Sequence, residues 1–286
     1  MPDSGRIANL LAQAAKRLEP VSDSPRLDAD ILLARAIDMP RSYLFAHPED
    51  TLDKAALARF DASITRRVAG EPLAYITGTK EFWSLELMVT PDTLVPRPET
   101  ELLVELALRD IPRESAWRVL DLGTGSGAIA LAIGKERPLC SVVATDRSEA
   151  AIKIARQNAR QLDIANVEFT VGPWTDAVPG CRFDMVVSNP PYIRADDPAL
   201  ARLAFEPESA LVAGLDGLDD VRILANRCAA VLVDGGKLLL EHGADQEKEV
   251  AQILADAGWT AVACTEDHAG RPRVTAARRP ASSANL

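Results

Sequence analysis

The chain has 286 residues, 47% of them apolar and 26% charged, which is typical of a globular protein with one large domain or two ordinary ones. Its net charge of −10 gives it no general attraction for phosphate backbones, which disfavours direct binding of nucleic acid. Four widely spaced cysteines and three scattered histidines predict neither a disulfide framework nor a metal site. No signal segment or membrane-length apolar run is evident, so we expect a cytoplasmic protein without a membrane partner.

Residues 1–79 predict a small helical domain. Apolar side chains recur at helical spacing in two stretches, one with Ile7, Leu10, Leu11, Ala14 and Leu18 and the other with Leu57, Phe60, Ile64 and Val68. Short helices of this kind are marginal alone and must pack on each other, which favours a bundle. The alternative is an N-terminal extension that lies on the main domain.

Residues 80–98 predict a connector between two domains. The stretch EFWSLELMVT (81–90) is rich in aromatic and β-forming residues and partly alternates, as a strand or hairpin does. Three prolines follow in PDTLVPRPET (91–100), and Thr100 begins the amphipathic helical stretch TELLVELALRD. The connector therefore ends where the second domain starts.

Residues 99–286 predict a domain in which strands and helices alternate. From Trp117 onward the buried strands are WRVLDLG, CSVVATD, VEFTVG, FDMVVSN and GKLLLEHG, and helices separate most of them. Such alternation predicts a mostly parallel, doubly wound α/β sheet. The last two strands, WTAVACTED and RVTAARR, have no helix between them, so they should pair as an antiparallel hairpin.

A glycine-rich loop, LDLGTGSGAIA (120–130), separates the first of these strands from the next helix. Glycine allows a tight turn and a close approach to a ligand, and the helix offers free N–H groups to that ligand. The alternative is an ordinary tight turn, which rarely needs three alternating glycines. The pattern G-x-G-x-x-A predicts a nucleotide-like cofactor. The candidate residues of the loop are Gly123, Thr124, Gly125, Ser126 and Gly127.

Two further candidates for cofactor binding follow the next two strands. Asp146 ends the second strand, where a carboxylate can accept both hydroxyls of a ribose, although Asp146 or Ser148 could instead cap the following helix. Trp174 follows the third strand, where it could cover an adenine ring or plug the core under a loop. A free ribose 2′-hydroxyl is implied, which leaves NAD and S-adenosylmethionine open.

The stretch VVSNPPYI (186–193) ends a buried strand with an amide, two prolines and a tyrosine. Because proline lacks an N–H and holds the preceding residue extended, the segment offers two acceptors, the Asn189 side-chain oxygen and the Pro190 carbonyl. Two converging acceptors suit a planar NH2 group, and Tyr192 provides a face on which an amide or base can stack. A proline-rich turn would explain the prolines but not Asn189 and Tyr192 together. We therefore expect Asn189, Pro190 and Tyr192 in catalysis, and these three with Pro191 in substrate binding.

The nitrogen of an amide or ring amine is a weak nucleophile because its lone pair is delocalised. Its partner must be a strong electrophile, such as the activated methyl group of S-adenosylmethionine, and acceptors beside the nitrogen stabilise the charge that develops there. A nicotinamide enzyme has no use for such acceptors. The expected cofactor is therefore S-adenosylmethionine, without a metal.

Three motifs resemble the HemK/PrmC family, the N5-glutamine methyltransferases of peptide-chain release factors. They are DLGTGSGAIA (121–130), NPPYI (189–193) and LVPRPETE (94–101). The stretches GEPLAYITG, FEPESALVAGLDGL and LEHGADQ look like connecting segments of the same family. The resemblance implies a seven-stranded class I S-adenosylmethionine-dependent methyltransferase domain preceded by a helical substrate-recognition domain.

Carried over residue by residue, the resemblance assigns cofactor contacts to the loop from Gly123 to Gly127, to Asp146 and to Trp174. It assigns Asn189 to the junction of cofactor and substrate, and Pro190 to Tyr192 to the substrate glutamine. That glutamine would belong to the Gly-Gly-Gln motif of class I release factors, and we expect the enzyme to be a monomer. Ala277 stands where the family usually has glycine, which puts a local turn in doubt.

Other classes of function stay open. An exocyclic-amine methyltransferase acting on DNA or RNA should carry a basic groove or a recognition insertion, which this acidic chain does not show. Enzymes that methylate a glutamine of a ribosomal protein usually differ in the PRPETE segment and the glycine loop. A non-catalytic binding subunit should have lost Asn189 or a loop glycine, and both are present.

Overall fold

A computed structural model describes residues 5–280, and the chain divides into two compact units between Thr79 and Lys80. The described part of the first unit is helical. Its helices are α1 (Ile7–Leu18), α2 (Pro25–Ala36), α3 (Arg41–Ala46), α4 (Lys54–Val68) and α5 (Leu73–Thr77). Helix α4 begins where the Asp53 side chain accepts the N–H of Ala56 at 2.7 Å, which satisfies one of the free donors of its first turn.

The core of the first unit forms where the apolar faces of its helices meet. Its most buried large side chains include Leu11, Leu18, Leu33, Phe60 and Ile64. A buried ion pair adds to this core, since Arg67 of α4 donates to Asp28 of α2 at 2.8 Å and to the carbonyl of Val21 at 3.1 Å. Removing either partner would leave a buried charge unpaired, so the pair fixes α4 against α2.

The second unit begins with a hairpin of β1 (Thr79–Phe82) and β2 (Leu85–Met88) and continues as an α/β structure. The turn residues Trp83 and Ser84 have φ of +52° and +56°, the left-handed geometry that suits a two-residue hairpin turn. The helices are α6 (Glu101–Asp110), α7 (Ala128–Glu136), α8 (Glu149–Gln161), α9 (Asp219–Arg227) and α10 (Glu247–Asp256). The strands of the main sheet are β3 (Arg118–Leu122), β4 (Ser141–Asp146), β5 (Val167–Val171), β6 (Phe183–Ser188), β7 (Leu232–Glu241), β8 (Thr260–Glu266) and β9 (Pro272–Arg278).

The main sheet has seven strands in the order β5-β4-β3-β6-β7-β9-β8. The first five are parallel, and β9 runs antiparallel to both β7 and β8. The predicted doubly wound sheet with an antiparallel final pair is therefore confirmed. After β3 the chain adds β4 and β5 on one side of β3, and β6 then lies on its other side. A ligand crevice is expected between the carboxyl ends of two neighbouring strands, here β3 and β6, at which the strand order reverses in this way.

Two apolar layers cover the sheet, one on each face. One includes Val119 of β3 with Leu103 of α6 and Ile133 of α7, and the other includes Leu120 of β3 with Leu224 of α9. Successive residues of β3 thus enter opposite layers, as the period of a strand requires.

The turn that we considered doubtful at Ala277 does not exist. Ala277 is 2% exposed within β9 and pairs with Leu238 of β7, where a small side chain is fully compatible with an extended backbone. Among residues 5–280, no helix is long and apolar enough to cross a membrane.

Candidate active site

The glycine loop turns sharply between β3 and α7. Gly123, Gly125 and Gly127 have φ of +74°, +55° and +88°, a region that residues with a Cβ adopt only with strain. The N–H groups of Gly123 and Thr124 both donate to the carbonyl of Thr145 at 2.9 Å, which ties the loop to β4. The glycines therefore allow the sharp turn, and the hydrogen bonds to β4 set the position of the loop.

The three glycines face different surroundings. A Cβ on Gly123 would lie 3.3 Å from the ring of Trp174, and one on Gly127 would lie 3.2 Å from Ala155 of α8. At Gly125 no heavy atom lies within 4 Å of that position, so the backbone there is open to a ligand. Close packing thus explains two of the glycines, whereas the space beside the third is open.

Asn158 of α8 braces the loop from below. This fully buried amide exchanges two hydrogen bonds with the backbone of Met88, at 2.8 and 3.0 Å, and donates to the carbonyl of Ser126 at 2.9 Å. It therefore joins the end of β2, the glycine loop and α8. Sequence patterns did not indicate this role, because an asparagine inside a helical stretch carries no signal for a partner 70 residues away.

Asp146 holds the loop from the end of β4. One carboxylate oxygen accepts the N–H of Gly125 at 2.9 Å and the other accepts the N–H of Ser148 at 2.9 Å. The Ser148 side chain caps α8 by accepting the N–H of Ala151 at 3.2 Å. The helix cap is thus Ser148, and the two oxygens of Asp146 are aimed between the loop and the helix.

Trp174 lies beside the loop with its ring partly exposed. Its φ of +49° is unusual for a residue with a Cβ, and its carbonyl accepts the hydroxyl of Thr145 at 3.3 Å. The indole packs on the apolar layer of α9, as one of the two alternatives expects, and it also lines the cavity described next.

A first cavity of about 230 Å³ lies at the carboxyl ends of β3, β4 and β6. It brings together six predicted site residues, Gly123, Gly125, Asp146, Trp174, Asn189 and Pro191, although Pro191 was expected to bind the substrate rather than the cofactor. Other parts of its wall come from residues 91–94, from Arg147, Ser148 and Ala151 after β4, and from Pro173, Pro207, Ser209, Ala210 and Asp220. Thr124, Ser126 and Gly127 belong to the loop but do not line this cavity, since the side chains of Thr124 and Ser126 are buried beneath it.

Asn189 follows β6 directly. The hydroxyl of Ser188 donates to the carbonyl of Leu122 at 2.7 Å, which holds the end of β6 beside the start of the glycine loop. The Asn189 side chain donates its Nδ2 to the hydroxyl oxygen of Thr100 at 3.1 Å. Since its NH2 is engaged there, the side-chain oxygen of Asn189 is the end available to accept a hydrogen bond.

A second cavity of about 190 Å³ adjoins the first. Leu94, Asn189 and Ala210 line both, so Asn189 lies in their common wall. The second cavity is lined also by Arg97, Pro190, Tyr192, Ile193, Leu203 and Leu211. The predicted catalytic residues Asn189, Pro190 and Tyr192 are therefore adjacent around one small, mainly apolar pocket.

The NPPY segment is buttressed on its far side. Gln246 donates to the carbonyls of Tyr192 at 3.0 Å and Gly217 at 3.2 Å, and accepts the N–H of Gly243 at 2.8 Å. A Cβ on Gly217 would lie 2.4 Å from the Tyr192 carbonyl oxygen. The glycine allows residues 211–218 to pass directly against the segment.

The PRPETE segment binds several distant parts of the site together. Arg97 pairs with the buried Glu206, whose other oxygen accepts the N–H of Val95 at 3.0 Å. Glu99 lies 3.3 Å from Arg271, and Glu101 accepts the N–H of Trp83 at 2.8 Å. With Thr100 bound to Asn189, side chains on both sides of Pro98 thus brace the cavity walls, and the sequence motif alone did not reveal these partners.

Several titratable groups at the site have displaced pKa values, chiefly because burial disfavours the charged form. Burial raises the pKa of Asp121, beneath the glycine loop, to about 7, although its bond from the Thr124 hydroxyl at 2.6 Å opposes the rise. Burial also raises the pKa of Glu241 to about 7 and that of Tyr192 to about 12. Among residues 5–280 no group of three side chains could hold a metal ion.

Two family models match the chain, the PrmC N-terminal domain over residues 9–78 and a methyltransferase domain over residues 113–266. The chain also resembles proteins named release factor glutamine methyltransferase. It is 47% identical to the one from Coxiella burnetii, over 93% of this chain and 96% of the relative. It is 50% identical to the one from Pseudomonas aeruginosa, over 90% of this chain and 93% of the relative.

Solved structures agree with the fold. A methyltransferase from Pyrococcus furiosus matches with a TM-score of 0.54 and 20% identity, over 76% of this chain and 97% of that one. This likeness concerns the fold alone, and it confirms the predicted class I methyltransferase architecture. Because the sequence identity to the named relatives extends over nearly the whole chain, the protein belongs to the release factor glutamine methyltransferase family.

Proposed function

We propose that this protein transfers a methyl group from S-adenosylmethionine to the side-chain amide nitrogen, N5, of the glutamine in the Gly-Gly-Gln motif of class I release factors. The observation that carries the proposal is the position of Asn189 in the common wall of two cavities. One cavity offers groups suited to a nucleoside, and the other is narrow and mainly apolar. The names of the relatives support the choice of substrate.

The residues around the first cavity fit S-adenosylmethionine. Each oxygen of Asp146 accepts one backbone N–H and keeps a lone pair for a ribose hydroxyl. The open backbone at Gly125 allows close approach, and the partly exposed ring of Trp174 offers a face for adenine. The bound cofactor supplies a methyl group activated by a cationic sulfonium.

Asn189 and Pro190 orient the nitrogen that receives the methyl group. Because Thr100 engages the Asn189 NH2, the Asn189 oxygen can accept one N–H of the substrate amide, and the Pro190 carbonyl can accept the other. With both N–H bonds held, the nitrogen lone pair turns toward the first cavity, which is a positioning effect. The same two acceptors stabilise positive charge as it develops on the nitrogen. The face of Tyr192 supports the planar amide.

The first unit supplies selectivity in this proposal. A glutamine side chain offers a short stem and one amide, which is too little to distinguish one glutamine from thousands of others. Binding energy from contacts far from the reacting atom can position the substrate, and residues 1–79 are available for such contacts. We assign them to recognition of the folded release factor, in the cytoplasm where it acts.

Methylation of defined substrates tests the proposal. The purified protein is incubated with methyl-labelled S-adenosylmethionine and a class I release factor, and the modified residue is identified by mass spectrometry. We expect label on the glutamine of Gly-Gly-Gln and none on a release factor in which that glutamine is alanine. Parallel reactions contain DNA, RNA and ribosomal proteins. Label on any of these with none on the release factor would contradict the proposal and support an alternative substrate.

A further inference from the structure

An acidic side chain without an assigned role lies directly behind Asn189. Glu241 is the last residue of β7 and is fully buried. In the parallel pairing of β6 and β7, Ser188 is opposite Leu240, so the next residues along, Asn189 and Glu241, end adjacent strands side by side.

The surroundings of Glu241 are polar but do not provide regular hydrogen bonds to its carboxyl oxygens. The hydroxyls of Thr100 and Tyr192 face the carboxyl and lower its pKa, Arg273 on β9 attracts it and Glu99 repels it. Yet neither carboxyl oxygen has a hydrogen bond of regular distance and angle within the described part of the chain. Arg273 also lies 3.7 Å from the carboxylate of Asp267 and donates to the His242 carbonyl at 3.2 Å, so its charge is shared. A buried carboxyl left in this state is costly, and its presence calls for a functional explanation.

Thr100 is bonded to Asn189 and faces Glu241. Its side chain is buried, and its oxygen accepts the Nδ2–H of Asn189 at 3.1 Å. A hydroxyl has one proton to donate, and the Glu241 carboxyl is the acceptor that faces it. When ionised Glu241 accepts this proton, the Thr100 oxygen presents only lone pairs to Asn189. The Asn189 amide is then held with its NH2 toward Thr100 and its oxygen away from it.

We propose that Glu241 is a positioning residue, which acts through the Thr100 hydroxyl to keep the Asn189 oxygen turned toward the substrate amide. The inference rests on the proposed function, because that function requires an acceptor at this position. A reversed Asn189 amide would place its NH2 against the NH2 of the substrate. Two donors facing each other cannot form a hydrogen bond, so the reversed orientation would be inactive.

Protonation of Glu241 reverses the direction of the hydrogen bonds that run from Asn189 through Thr100 to Glu241. A neutral carboxyl donates to the Thr100 oxygen, and the Thr100 proton is then free to donate to the Asn189 oxygen, which favours the reversed amide. Burial raises the pKa of Glu241 to about 7, whereas burial raises that of Tyr192 to about 12 and lowers that of His242. Of the groups in this cluster, Glu241 is thus the one that titrates near neutral pH. Turnover should decline as the pH falls below this range.

Four variants test the inference in the full-length protein, at saturating S-adenosylmethionine from pH 6 to 9. Glu241→Gln removes the charge, Thr100→Val removes the hydroxyl at constant shape, and Thr100→Ser restores it. Glu105→Gln on the exposed face of α6 is the matched control, with unchanged kinetics expected. Release factor methylation gives kcat and KM, calorimetry gives cofactor affinity, and circular dichroism reports folding.

In the unaltered protein we expect kcat to fall below pH ~7, toward tenfold per pH unit. In Glu241→Gln this fall of kcat at acid pH, the acid limb of the pH profile, should disappear. Thr100→Val should lower kcat about tenfold, the effect of one hydrogen bond worth ~1.4 kcal/mol, with the KM for release factor and the cofactor affinity changed less than about threefold. Thr100→Ser should regain most of the lost kcat.

An unchanged acid limb in Glu241→Gln, or near-normal kcat in Thr100→Val, would overturn the inference. If Glu241→Gln does not fold, the two Thr100 variants decide alone, since they differ by the presence of the hydroxyl. Failure of the unaltered protein to methylate release factor at any pH, with cofactor still bound, would refute the proposed function and this inference with it. Active enzyme with pH-independent kcat would refute the inference alone.

Discussion

In the proposed mechanism the side-chain oxygen of Asn189 accepts from the substrate amide, while its NH2 donates to Thr100. Substitutions can test the oxygen and the NH2 separately. Asn189→Ala should reduce kcat about tenfold or more, with a smaller loss of cofactor affinity, because its oxygen matters most as charge develops on the substrate nitrogen. Asn189→Asp keeps an acceptor but adds a charge beside the cofactor and cannot donate to Thr100. We expect it to be severely impaired as well. Steady-state kinetics with calorimetry check both, and near-normal turnover in either would contradict the assigned role.

Asp146 should matter mainly for cofactor binding. Asp146→Ala removes the acceptor of the Gly125 N–H and of the proposed ribose hydroxyls, so the affinity for S-adenosylmethionine should fall by about 1–3 kcal/mol. Calorimetry measures this loss directly. Asp146→Asn retains one acceptor oxygen and should lose less. Equal and unchanged affinity in the two variants would remove Asp146 from the cofactor site.

Sequence patterns identified those candidate site residues that end strands, because parallel strands bring their carboxyl ends to one edge of a sheet. Asp146 and Asn189 were accessible in this way. Thr100 was not, since it meets Asn189 across 89 residues of chain, and a threonine before a helix suggests only a cap. Glu241 did leave a signal, an acid at the end of an otherwise apolar strand next to β6. That signal becomes interpretable only when strand order and register are known.

At the scale of elements, the loop of residues 211–218 supports the NPPY segment through one glycine. Gly217 has a φ of +75° and would place a Cβ 2.4 Å from the Tyr192 carbonyl, whereas Gly180 has a φ of +74° and no heavy atom within 4 Å of that position. Alanine at either site should therefore cost about 1–2 kcal/mol of stability for the left-handed backbone. Gly217→Ala should additionally displace Tyr192 and lower kcat about tenfold, which is ~1.4 kcal/mol.

Gly180→Ala serves as the matched control, and urea unfolding with steady-state kinetics measures both effects. Similar kcat in the two variants would show that the contact between Gly217 and Tyr192 does not influence the site. Sequence patterns predicted the strands and helices around this loop, because apolar periodicity reports burial. They did not predict the loop as a cavity wall, because its position depends on bonds such as those of Gln246 to the carbonyls of Tyr192 and Gly217.

For the whole molecule, two buried acids should make stability depend on pH. Burial raises the pKa of Asp121 from 3.8 and that of Glu241 from 4.5, each to about 7. Between about pH 4.5 and 7 the folded protein keeps these protons while the unfolded chain has released them. The free energy of unfolding should therefore decrease as the pH rises through this interval, with each group contributing a slope of roughly 1.4 kcal/mol per pH unit. Above it, both states are ionised and the decline should cease.

Urea unfolding at a series of pH values measures this trend. Asp121→Asn and Glu241→Gln should each flatten the decline, while the exposed Glu105→Gln should leave it unchanged. A decline that persists in the double variant would assign it to other groups.

The proposed division of labour between the two units has its own test. Phe45 on α3 is 62% exposed, and an exposed aromatic side chain of this kind is suited to a protein contact. Phe45→Ser should raise the KM for whole release factor about fivefold, for a lost contact of ~1 kcal/mol, and leave methylation of a short Gly-Gly-Gln peptide unchanged. Leu139→Ser, 56% exposed and placed before the amino end of β4, is the control. Equal effects of Phe45→Ser on both substrates would speak against recognition by the first unit.

Two adjoining cavities with Asn189 in their common wall could be filled by a single inhibitor. At about 230 and 190 Å³, the two cavities are of similar size. A nucleoside joined to a carboxamide by a short linker past Asn189 would present its second half at a high effective concentration once the first is bound. Its affinity would then exceed that of either half without any new contact. Such a compound would compete with the cofactor and with the release factor at once, which neither half does alone.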